Sequence, residues 1–211
     1  MNKIILALTG PSGVGKTTIG NILIRKEAFN VPIHTTTRKQ RQDDQLGFYR
    51  YLTHDEFKKN AQLNNFLFWS GDNNIIDKTY GNYYGILKDD YNDIAAKKRI
   101  LFYISYKDID TILYLKKNGY NIEIINLVYY DLERTMRVRL SNSDRNHSDE
   151  DIEKRIDCAK RYEEQFRKKI DNSDILKIYT DLCDAEEAYN IVKRKKLKWG
   201  NNNGILEFIW L

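Results

Sequence analysis

One segment near the start of the sequence combines glycines, a lysine and hydroxyl side chains at the spacing used for binding phosphate. The segment GPSGVGKTT, residues 10–18, matches the pattern G-x-x-x-x-G-K-[ST] at every fixed position. Glycines let a backbone wrap around phosphate oxygens in conformations that a Cβ atom would forbid. The N–H groups and the positive end of the following helix attract anions. The segment therefore predicts a P-loop that binds a nucleoside triphosphate; the alternative is a glycine-rich turn with no ligand.

The residue types inside this loop suggest a role for each position. Lys16 is expected to place its ammonium group against the β- and γ-phosphates. The hydroxyl of Thr17 is expected to bind Mg²⁺, which bridges the same phosphates. The residues that we predict to contact the nucleotide are Gly10, Ser12, Gly13, Val14, Gly15, Lys16, Thr17 and Thr18. ATP and Mg²⁺ are therefore the expected cofactors.

The elements around the loop alternate between strand patterns and helix patterns. Short apolar runs rich in β-branched residues predict strands over 3–9, 33–37, 99–105, 121–129 and 175–179. Apolar residues at helical spacing predict helices over 17–26, 108–117, 149–169 and 185–195. A further helix is expected after Thr53, because Glu56 follows three residues later and completes a capping box. The alternation predicts an α/β fold with a mainly parallel sheet.

Length and composition limit the class of protein further. The 211 residues suit one domain, and the 41% of residues that are apolar can form a core. No stretch approaches the ~18 apolar residues of a membrane-spanning helix, and the apolar start is too short for a signal peptide. Two cysteines are too few for a disulfide framework or a structural zinc site, so we expect a cytoplasmic location. The net charge of +5 suits an anionic partner without choosing among nucleotide, nucleic acid and membrane surface.

Four further motifs follow the P-loop in a fixed order. They are TTRKQR at 36–41, GFYRY at 47–51 leading into DEF at 55–57, GNYYG at 81–85, and SDEDIEKR at 148–155. Their order and spacing resemble the guanylate kinase family over roughly residues 3–196. The resemblance implies a P-loop NTPase fold with three α/β/α layers, a small acceptor-binding subdomain and a lid. It also implies a kinase that transfers the γ-phosphate of ATP to a nucleoside monophosphate, which in this family is GMP by default.

Two of these motifs supply side chains suited to a second phosphate. Arg38 and Arg41 are three residues apart, so both guanidinium groups can face one anion, which arginine binds through two parallel hydrogen bonds. Tyr49 and Tyr84 offer hydroxyl donors to the same phosphate. Without the resemblance, surface ion pairs and ordinary core packing would explain these residues. The resemblance implies a substrate site made of His34, Arg38, Arg41, Tyr49, Tyr84 and Ser105.

A basic segment follows the predicted strand 121–129 and contains Arg134, Arg137, Arg139 and Arg145. A lid can close such cations over the transferring phosphoryl group, whose charge is spread over three oxygens. The alternative is a helix face in water. The resemblance implies Arg139, Arg145 and Arg155 as the lid arginines, which with Lys16 are the predicted catalytic residues. It divides the chain into a core (1–30, 91–133 and 156–196), an acceptor-binding subdomain (31–90), a lid (134–155) and a tail (197–211).

The sequence departs from the family pattern where the family recognises the base. The changed positions are Phe68 (usually Glu), Ile86 (usually Ser or Thr), Tyr103 and Ser105 (usually Asp) and His34 (often Ser). Guanine in a pocket without a carboxylate would leave N–H donors unpaired, at about 1–3 kcal/mol each. An insertion at 70–80 carries Asp72 and Asp77, which are candidates to replace the missing acceptor. We therefore expect intact phosphate binding and altered base recognition.

Other functions stay open on the sequence. A kinase for another phosphorylated small molecule, such as ribose 1,5-bisphosphate, would keep the phosphate-binding residues and lack base contacts. A non-catalytic guanylate-kinase-like binding module would commonly lose Lys16, which this chain retains. Nucleic-acid binding rests on the basic run at 193–196, which is more typical of a solvated helix end. We expect a monomer or homodimer that acts on a small phosphorylated acceptor, with no membrane or nucleic-acid partner.

Overall fold

A computed structural model of the chain describes residues 3–42, 44–70, 82–104, 109–143, 147–169 and 175–199. Its strands are β1 (Ile4–Thr9), β2 (His34–Thr36), β3 (Tyr49–Tyr51), β4 (Phe66–Ser70), β5 (Tyr84–Leu87), β6 (Arg99–Tyr103), β7 (Ile122–Val128) and β8 (Ile175–Tyr179). Its helices are α1 (Lys16–Glu27), α2 (His54–Gln62), α3 (Lys88–Ala95), α4 (Ile109–Lys117), α5 (Leu132–Ser141), α6 (Asp149–Lys169) and α7 (Ala185–Trp199). Within these ranges no helix is both long and apolar enough to span a bilayer.

The larger sheet has the strand order β6-β1-β7-β8, and every pairing in it is parallel. Successive residues of a strand point to opposite faces of the sheet, so each strand contributes side chains to two hydrophobic cores. Leu6 and Leu8 of β1 join a first cluster with residues of α1, α5 and α7. Ile5 and Ala7 join a second cluster with residues of α3 and α4. Helices therefore cover both faces, which confirms the predicted α/β fold with a mainly parallel sheet.

Helix α6 belongs to both cores. Its first half contributes Ile152 and Ile156 to the first cluster, whereas Phe166 near its end belongs to the second. The helix therefore passes from one face of the sheet to the other before the chain returns as β8.

The smaller sheet has the order β3-β2-β5-β4 and mixed pairing. Strand β2 is parallel to β3 and antiparallel to β5, and β5 is antiparallel to β4. Helix α2 covers this sheet through Phe57, whose ring stacks on Phe66 with centroids 4.4 Å apart. The predicted capping box is confirmed: Thr53 and Glu56 each accept a hydrogen bond from the other's backbone N–H. These elements lie inside the range 31–90, and the division into core, subdomain, lid and tail stays a prediction.

The elements that the sequence patterns do not predict are β3, β4, β5, α3 and α5. Helix α5 lies inside the basic segment after β7 and buries Met136 and Leu140 in the first cluster. The arginines lie on its other face, where Arg134 and Arg137 are exposed to solvent and Arg139 points toward the P-loop. Helix α7 runs to Trp199, beyond the expected end at 195. The remaining predicted strands and helices are confirmed, with ends that differ by a few residues at most.

Gly20 lets α1 lie directly against the end of β6. A Cβ atom at Gly20 would lie 2.0 Å from the hydroxyl oxygen of Tyr103 and 2.6 Å from its ring carbon Cζ. The ring of Tyr103 also lies 5.9 Å from that of His34, measured between centroids. This contact therefore joins the helix after the P-loop to the first strand of the smaller sheet.

We expect Gly20→Ala to destabilise the protein by about 1–3 kcal/mol, because the new methyl group overlaps Tyr103. The loss should appear although alanine favours a helix by about 1 kcal/mol over glycine. Urea unfolding would measure it, with Arg25→Ala on the exposed side of α1 as the control. Adding Tyr103→Leu to Gly20→Ala should recover part of the loss. A Gly20→Ala protein as stable as the wild type would contradict this packing.

Candidate functional site

The P-loop follows β1 at the carboxyl ends of the parallel strands. Gly10 has a φ of 143°, and a Cβ atom there would lie 2.2 Å from the carbonyl oxygen of Leu127 in β7. Gly13 and Gly15 have φ values of 75° and 95°, in the left-handed region that residues with a Cβ rarely adopt. The shape of this loop therefore depends on glycine at each of these positions.

The loop leads into the N-terminus of α1, which has no side-chain cap. Gly15 is the N-cap residue, and the first turn of the helix contains no acidic side chain. The backbone N–H groups there and the helix dipole both favour an anion. Val14 is fully buried, so only its backbone can contact a ligand, whereas Thr17 and Thr18 are exposed on the first turn. The first turn of α1 therefore presents backbone donors and two hydroxyl groups.

Lys16 turns its side chain back into the loop. Its Nζ donates hydrogen bonds to the carbonyl oxygens of Gly10 at 2.7 Å and Pro11 at 2.8 Å. Burial lowers the pKa of Lys16 to about 8, so the ammonium form still predominates at pH 7. A cation held here compensates negative charge placed in the loop.

These groups fit a nucleoside triphosphate. The loop offers backbone donors, a cation and hydroxyl groups, which match phosphate oxygens in charge and hydrogen bonding. For Mg²⁺ the loop offers the hydroxyl of Thr17, and no cluster of His, Cys, Asp or Glu suited to a metal occurs among the described residues. The ion would therefore be held by Thr17, phosphate oxygens and water.

Two of the predicted lid arginines reach the P-loop. Arg139 donates to the carbonyl oxygens of Gly13 at 3.3 Å and Thr180 at 2.6 Å, and its guanidinium lies 5.2 Å from the ring centroid of Tyr129. Arg155 donates to the hydroxyl oxygen of Ser12 at 3.3 Å. The structure thus brings both arginines to the rim of the loop, while Arg145 lies outside the described residues.

Arg155 is oriented by groups at the start of α6. Its Nε donates to Oδ2 of Asp151 at 2.8 Å, and the same oxygen lies 2.6 Å from Nδ1 of His147. Burial favours a higher pKa for Asp151, but the hydrogen bond and the charge of Arg155 outweigh it and lower that pKa. The carboxylate therefore stays ionised and holds the guanidinium beside Ser12.

Arg38 is paired with a carboxylate that the sequence analysis does not name. Its guanidinium donates two parallel hydrogen bonds to Asp44, at 2.7 and 2.5 Å, and the side chain is only 7% exposed. The guanidinium carbon also lies 4.6 Å from the ring centroid of Tyr49. The structure therefore places Arg38 beside Tyr49, and Asp44 fixes the orientation of the Arg38 guanidinium group.

Asp44 holds the rest of this loop as well. It accepts a hydrogen bond from the backbone N–H of Arg41 at 2.7 Å and one from the hydroxyl of Tyr51 at 2.6 Å. Burial favours a higher pKa for Asp44, but these hydrogen bonds and that of Arg38 outweigh it and hold the pKa well below its usual range. Burial and the bond to Asp44 raise the pKa of Tyr51 to about 12. Asp44 is thus the residue that positions both predicted phosphate-binding arginines.

His34 and Tyr103 form a neutral group at the start of the smaller sheet. The ring of His34 lies 6.2 Å from that of Tyr49 and 5.9 Å from that of Tyr103. Burial lowers the pKa of His34 to about 4, so its imidazole is neutral at pH 7. Nε2 of His34 and the hydroxyl of Tyr103 are buried without a hydrogen-bond partner among the described residues. Both atoms are closed off from solvent, and neither carries the charge of a carboxylate.

The other predicted substrate residues lie on the same sheet or the loop before it. Arg41 is exposed, and Tyr84 begins β5 opposite Thr36 of β2. Phe68 and Ile86 pack into the second core cluster, where the ring of Phe68 meets Phe102 edge-on at 5.9 Å. The predicted residues Ser105, Asp72 and Asp77 lie outside the described residues.

The sequence is similar to known proteins along most of its length. A family model described as guanylate kinase matches residues 1–189. The guanylate kinase of Mycoplasma mobile is 30% identical over 200 residues, which are 90% of this chain and 92% of that protein. The guanylate kinase of Bartonella henselae is 30% identical over 105 residues, which are 49% of this chain and 44% of that protein. For that relative, the chain thus spans less than half of the protein's length.

The fold is also similar to a solved structure. The crystal structure of guanylate kinase from Anaplasma phagocytophilum matches with a TM-score of 0.66 at 18% sequence identity, over 94% of this chain and 86% of that one. This likeness bears on the fold, and it agrees with the P-loop NTPase architecture expected from the sequence.

We expect Asp44→Asn to destabilise the protein at pH 7 by about 3–5 kcal/mol, because it leaves the buried Arg38 guanidinium without its counter-charge. The native pKa of Asp44 is depressed, so its stabilisation is present above the unfolded pKa of about 3.9 and is lost as pH falls below it. The difference between the two proteins should therefore shrink in acid.

Urea unfolding at pH 7 and at pH 3.5 would measure this difference. Asp55→Asn, an exposed change in the first turn of α2, serves as the control and should show a much smaller effect at both pH values. A gap between wild type and Asp44→Asn that is equal at the two pH values would contradict the role given to the carboxylate.

Proposed function

The chain belongs to the guanylate kinase family, and from this premise we propose that it is an ATP-dependent kinase that transfers the γ-phosphate of ATP to a nucleoside monophosphate. The observation that carries the proposal is the complete P-loop with the Lys16 ammonium turned into it. A binding module without catalysis has no need of this cation at a position where burial disfavours it. A cytoplasmic monomer or homodimer remains the expectation for the whole protein.

The P-loop residues would hold and align the donor. The backbone N–H groups around Gly13 and Gly15 would bind the phosphates, and Lys16 would lie against the β- and γ-phosphates. Mg²⁺, when bound at Thr17, supplies positive charge that neutralises the phosphate oxygens. The protein contributes alignment and electrostatic stabilisation, because phosphoryl transfer of this kind needs no covalent intermediate.

Arg139 and Arg155 would stabilise the charge that develops during transfer. Both already lie at the rim of the loop, where their guanidinium groups contact Gly13 and Ser12. Fixed cations close to the transferring group stabilise the transition state without reorganising during the reaction. The partners of these arginines, Thr180 and Asp151, would keep them in place.

The acceptor would be bound through its phosphate by Arg41, Tyr49 and Tyr84, with Arg38 oriented by Asp44. GMP is the first candidate for the acceptor, because the family is named after the phosphorylation of GMP. The base would lie near the rings of His34 and Tyr103, and the imidazole of His34 is neutral at pH 7. Ser105 is proposed as a further contact to the acceptor.

A kinase for another phosphorylated small molecule is the second candidate. It is favoured by one observation: Phe68 and Ile86 belong to an apolar core cluster and offer no hydrogen bond to a base. A phosphorylated sugar such as ribose 1,5-bisphosphate would need the phosphate-binding residues alone.

Replacing Lys16 by alanine should abolish phosphoryl transfer with little effect on folding. The change removes the cation at the phosphates and two hydrogen bonds to loop carbonyls. A coupled assay of ADP release and a thermal unfolding curve would measure both properties. Lys26→Ala, an exposed lysine at the far end of the same helix, should keep full activity. Normal turnover by Lys16→Ala would rule out the proposed role.

Binding of ATP should weaken as pH rises from 7 to 9. The pKa of Lys16 in the free protein is about 8, and the neutral amine formed above it no longer attracts phosphate. Isothermal titration at several pH values would follow the dissociation constant, which should rise several-fold in the wild type and stay nearly constant in Lys16→Met. Equal pH profiles for the two proteins would show that another group titrates.

The acceptor is identified by turnover of ATP with GMP, dGMP, AMP, CMP, UMP, dTMP and ribose 1,5-bisphosphate. We expect Arg41→Ala to raise the KM for the accepted monophosphate at least about tenfold, because it removes a charge-assisted phosphate contact. Lys39→Ala removes a nearby exposed cation of the same loop and should leave KM nearly unchanged. Turnover of the sugar phosphate alone would favour the second candidate, and no turnover with any acceptor would refute the kinase.

A further inference from the structure

Tyr129 follows β7 directly and lies against the P-loop. Its side chain is 3% exposed and belongs to the first core cluster. The hydroxyl donates a hydrogen bond of 3.4 Å to the carbonyl oxygen of Ser12, and a Cβ atom at Gly13 would lie 3.4 Å from the same hydroxyl. Tyr129 therefore supports the loop at two consecutive residues, although no step of the proposed phosphoryl transfer assigns it a role.

The ring of Tyr129 also lies under one of the predicted lid arginines. The guanidinium carbon of Arg139 is 5.2 Å from the ring centroid, a distance at which a cation is attracted to an aromatic face. Arg139 also donates to the carbonyl oxygens of Gly13 and Thr180. Both carbonyls are backbone groups that any residue would supply, whereas the aromatic face depends on the side chain of Tyr129.

The phenol of Tyr129 stays neutral beside this cation. Burial raises the pKa of Tyr129 to about 12, although the charge of Arg139 acts in the opposite direction. The hydroxyl therefore keeps its proton at pH 7 and donates it to the hydrogen bond with Ser12. A phenolate at this place would repel the phosphates of a nucleotide in the loop, and the neutral ring avoids that repulsion.

The ends of β7 and β8 place Tyr129 and the backbone partner of Arg139 together. The carbonyl oxygen of Val128, the residue before Tyr129, accepts a hydrogen bond of 3.0 Å from the backbone N–H of Thr180. The carbonyl oxygen of Thr180 in turn accepts one of 2.6 Å from Arg139. The ring and the carbonyl that hold the guanidinium are therefore set by two paired parallel strands.

We propose that Tyr129 is a positioning residue, whose ring face holds the Arg139 guanidinium toward phosphates bound in the P-loop. It acts through Arg139 and the loop backbone, and not by contact with the substrate. The inference rests on the proposed function, because Arg139 serves the reaction only if the loop binds a nucleotide whose phosphoryl group is transferred. Without the ring, the long arginine side chain turns freely into solvent and must be ordered again for each transfer.

Tyr129→Leu tests this role, because leucine keeps an apolar side chain in the core and removes the aromatic face. We expect the turnover number to fall at least about tenfold, while the KM for the acceptor changes less than about threefold. Tyr129→Phe keeps the ring under Arg139 and should retain turnover within about threefold of the wild type. If Tyr129→Leu does not fold, Tyr129→Met replaces it with the same expectations.

A double-mutant cycle separates positioning from packing. In Arg139→Ala, adding Tyr129→Leu should lower turnover less than about twofold, because the group that the ring holds is already absent. Tyr189→Leu is the matched control. Tyr189 is also 3% exposed, belongs to the same cluster and has the ammonium group of Lys26 over its ring at 5.0 Å, but its hydroxyl bonds to Glu27 at the end of α1. This control should lose stability in urea and keep full turnover.

The affinity for ATP gives a readout that does not need turnover. Isothermal titration of ATP with Mg²⁺ should show about fivefold weaker binding to Tyr129→Leu and to Arg139→Ala, and no further loss in the double variant.

Three results would overturn the role of Tyr129. They are normal turnover by folded Tyr129→Leu, an equal loss of turnover in the Phe and Leu variants, and an equal effect of Tyr129→Leu with and without Arg139. No turnover by the wild type with any acceptor would instead refute the kinase, and the cycle in ATP affinity would then decide the role of Tyr129 by itself.

Discussion

The close approach of Gly10 to the carbonyl oxygen of Leu127 is the contact on which the candidate site depends. Any side chain at Gly10 would collide with the backbone of β7, so the loop can turn at this point only if the residue is glycine. The contact fixes where the loop leaves β1, and with it the start of α1 and the position of Lys16. Parallel pairing of β1 with both β6 and β7 holds the two backbones at this distance.

The cations of the site are held by the protein's own acceptors. Carbonyl oxygens hold Lys16 and Arg139, and carboxylates hold Arg38 and Arg155. Each group is thus placed before any ligand arrives, which lowers the entropy lost on binding. The arrangement has a cost, because a phosphate must compete with these partners or bind beside them. Preorganised charge of this kind is what phosphoryl transfer requires of a protein.

How much the sequence reveals depends on whether a feature is local. The P-loop and the long helix α6 are predictable, because consecutive residues carry both the glycine pattern and the helical spacing. Strands β4 and β5 are not, since their runs are short, and Phe66 and Trp69 of β4 pack on Phe57 of α2 while Phe68 packs on Phe102. The partner of Arg38 is not predictable either: Asp44 meets it only because the loop between β2 and β3 folds back on itself. Nor does spacing reveal that Tyr103 fills the space beside Gly20.

Because helix α6 contributes to both core clusters, the side chains at its two ends must point in fixed directions relative to each other. Arg155 faces the P-loop and Phe166, eleven residues later, enters the second cluster. At about 3.6 residues per turn, eleven residues make close to three turns, so both side chains keep nearly the same heading. An insertion or deletion of a single residue between them would rotate one end by about 100° relative to the other. Only insertions or deletions close to a whole helical turn would keep both side chains in their present directions. The number of residues between Arg155 and Phe166 therefore fixes how the P-loop end of α6 is oriented relative to the end that packs in the second cluster.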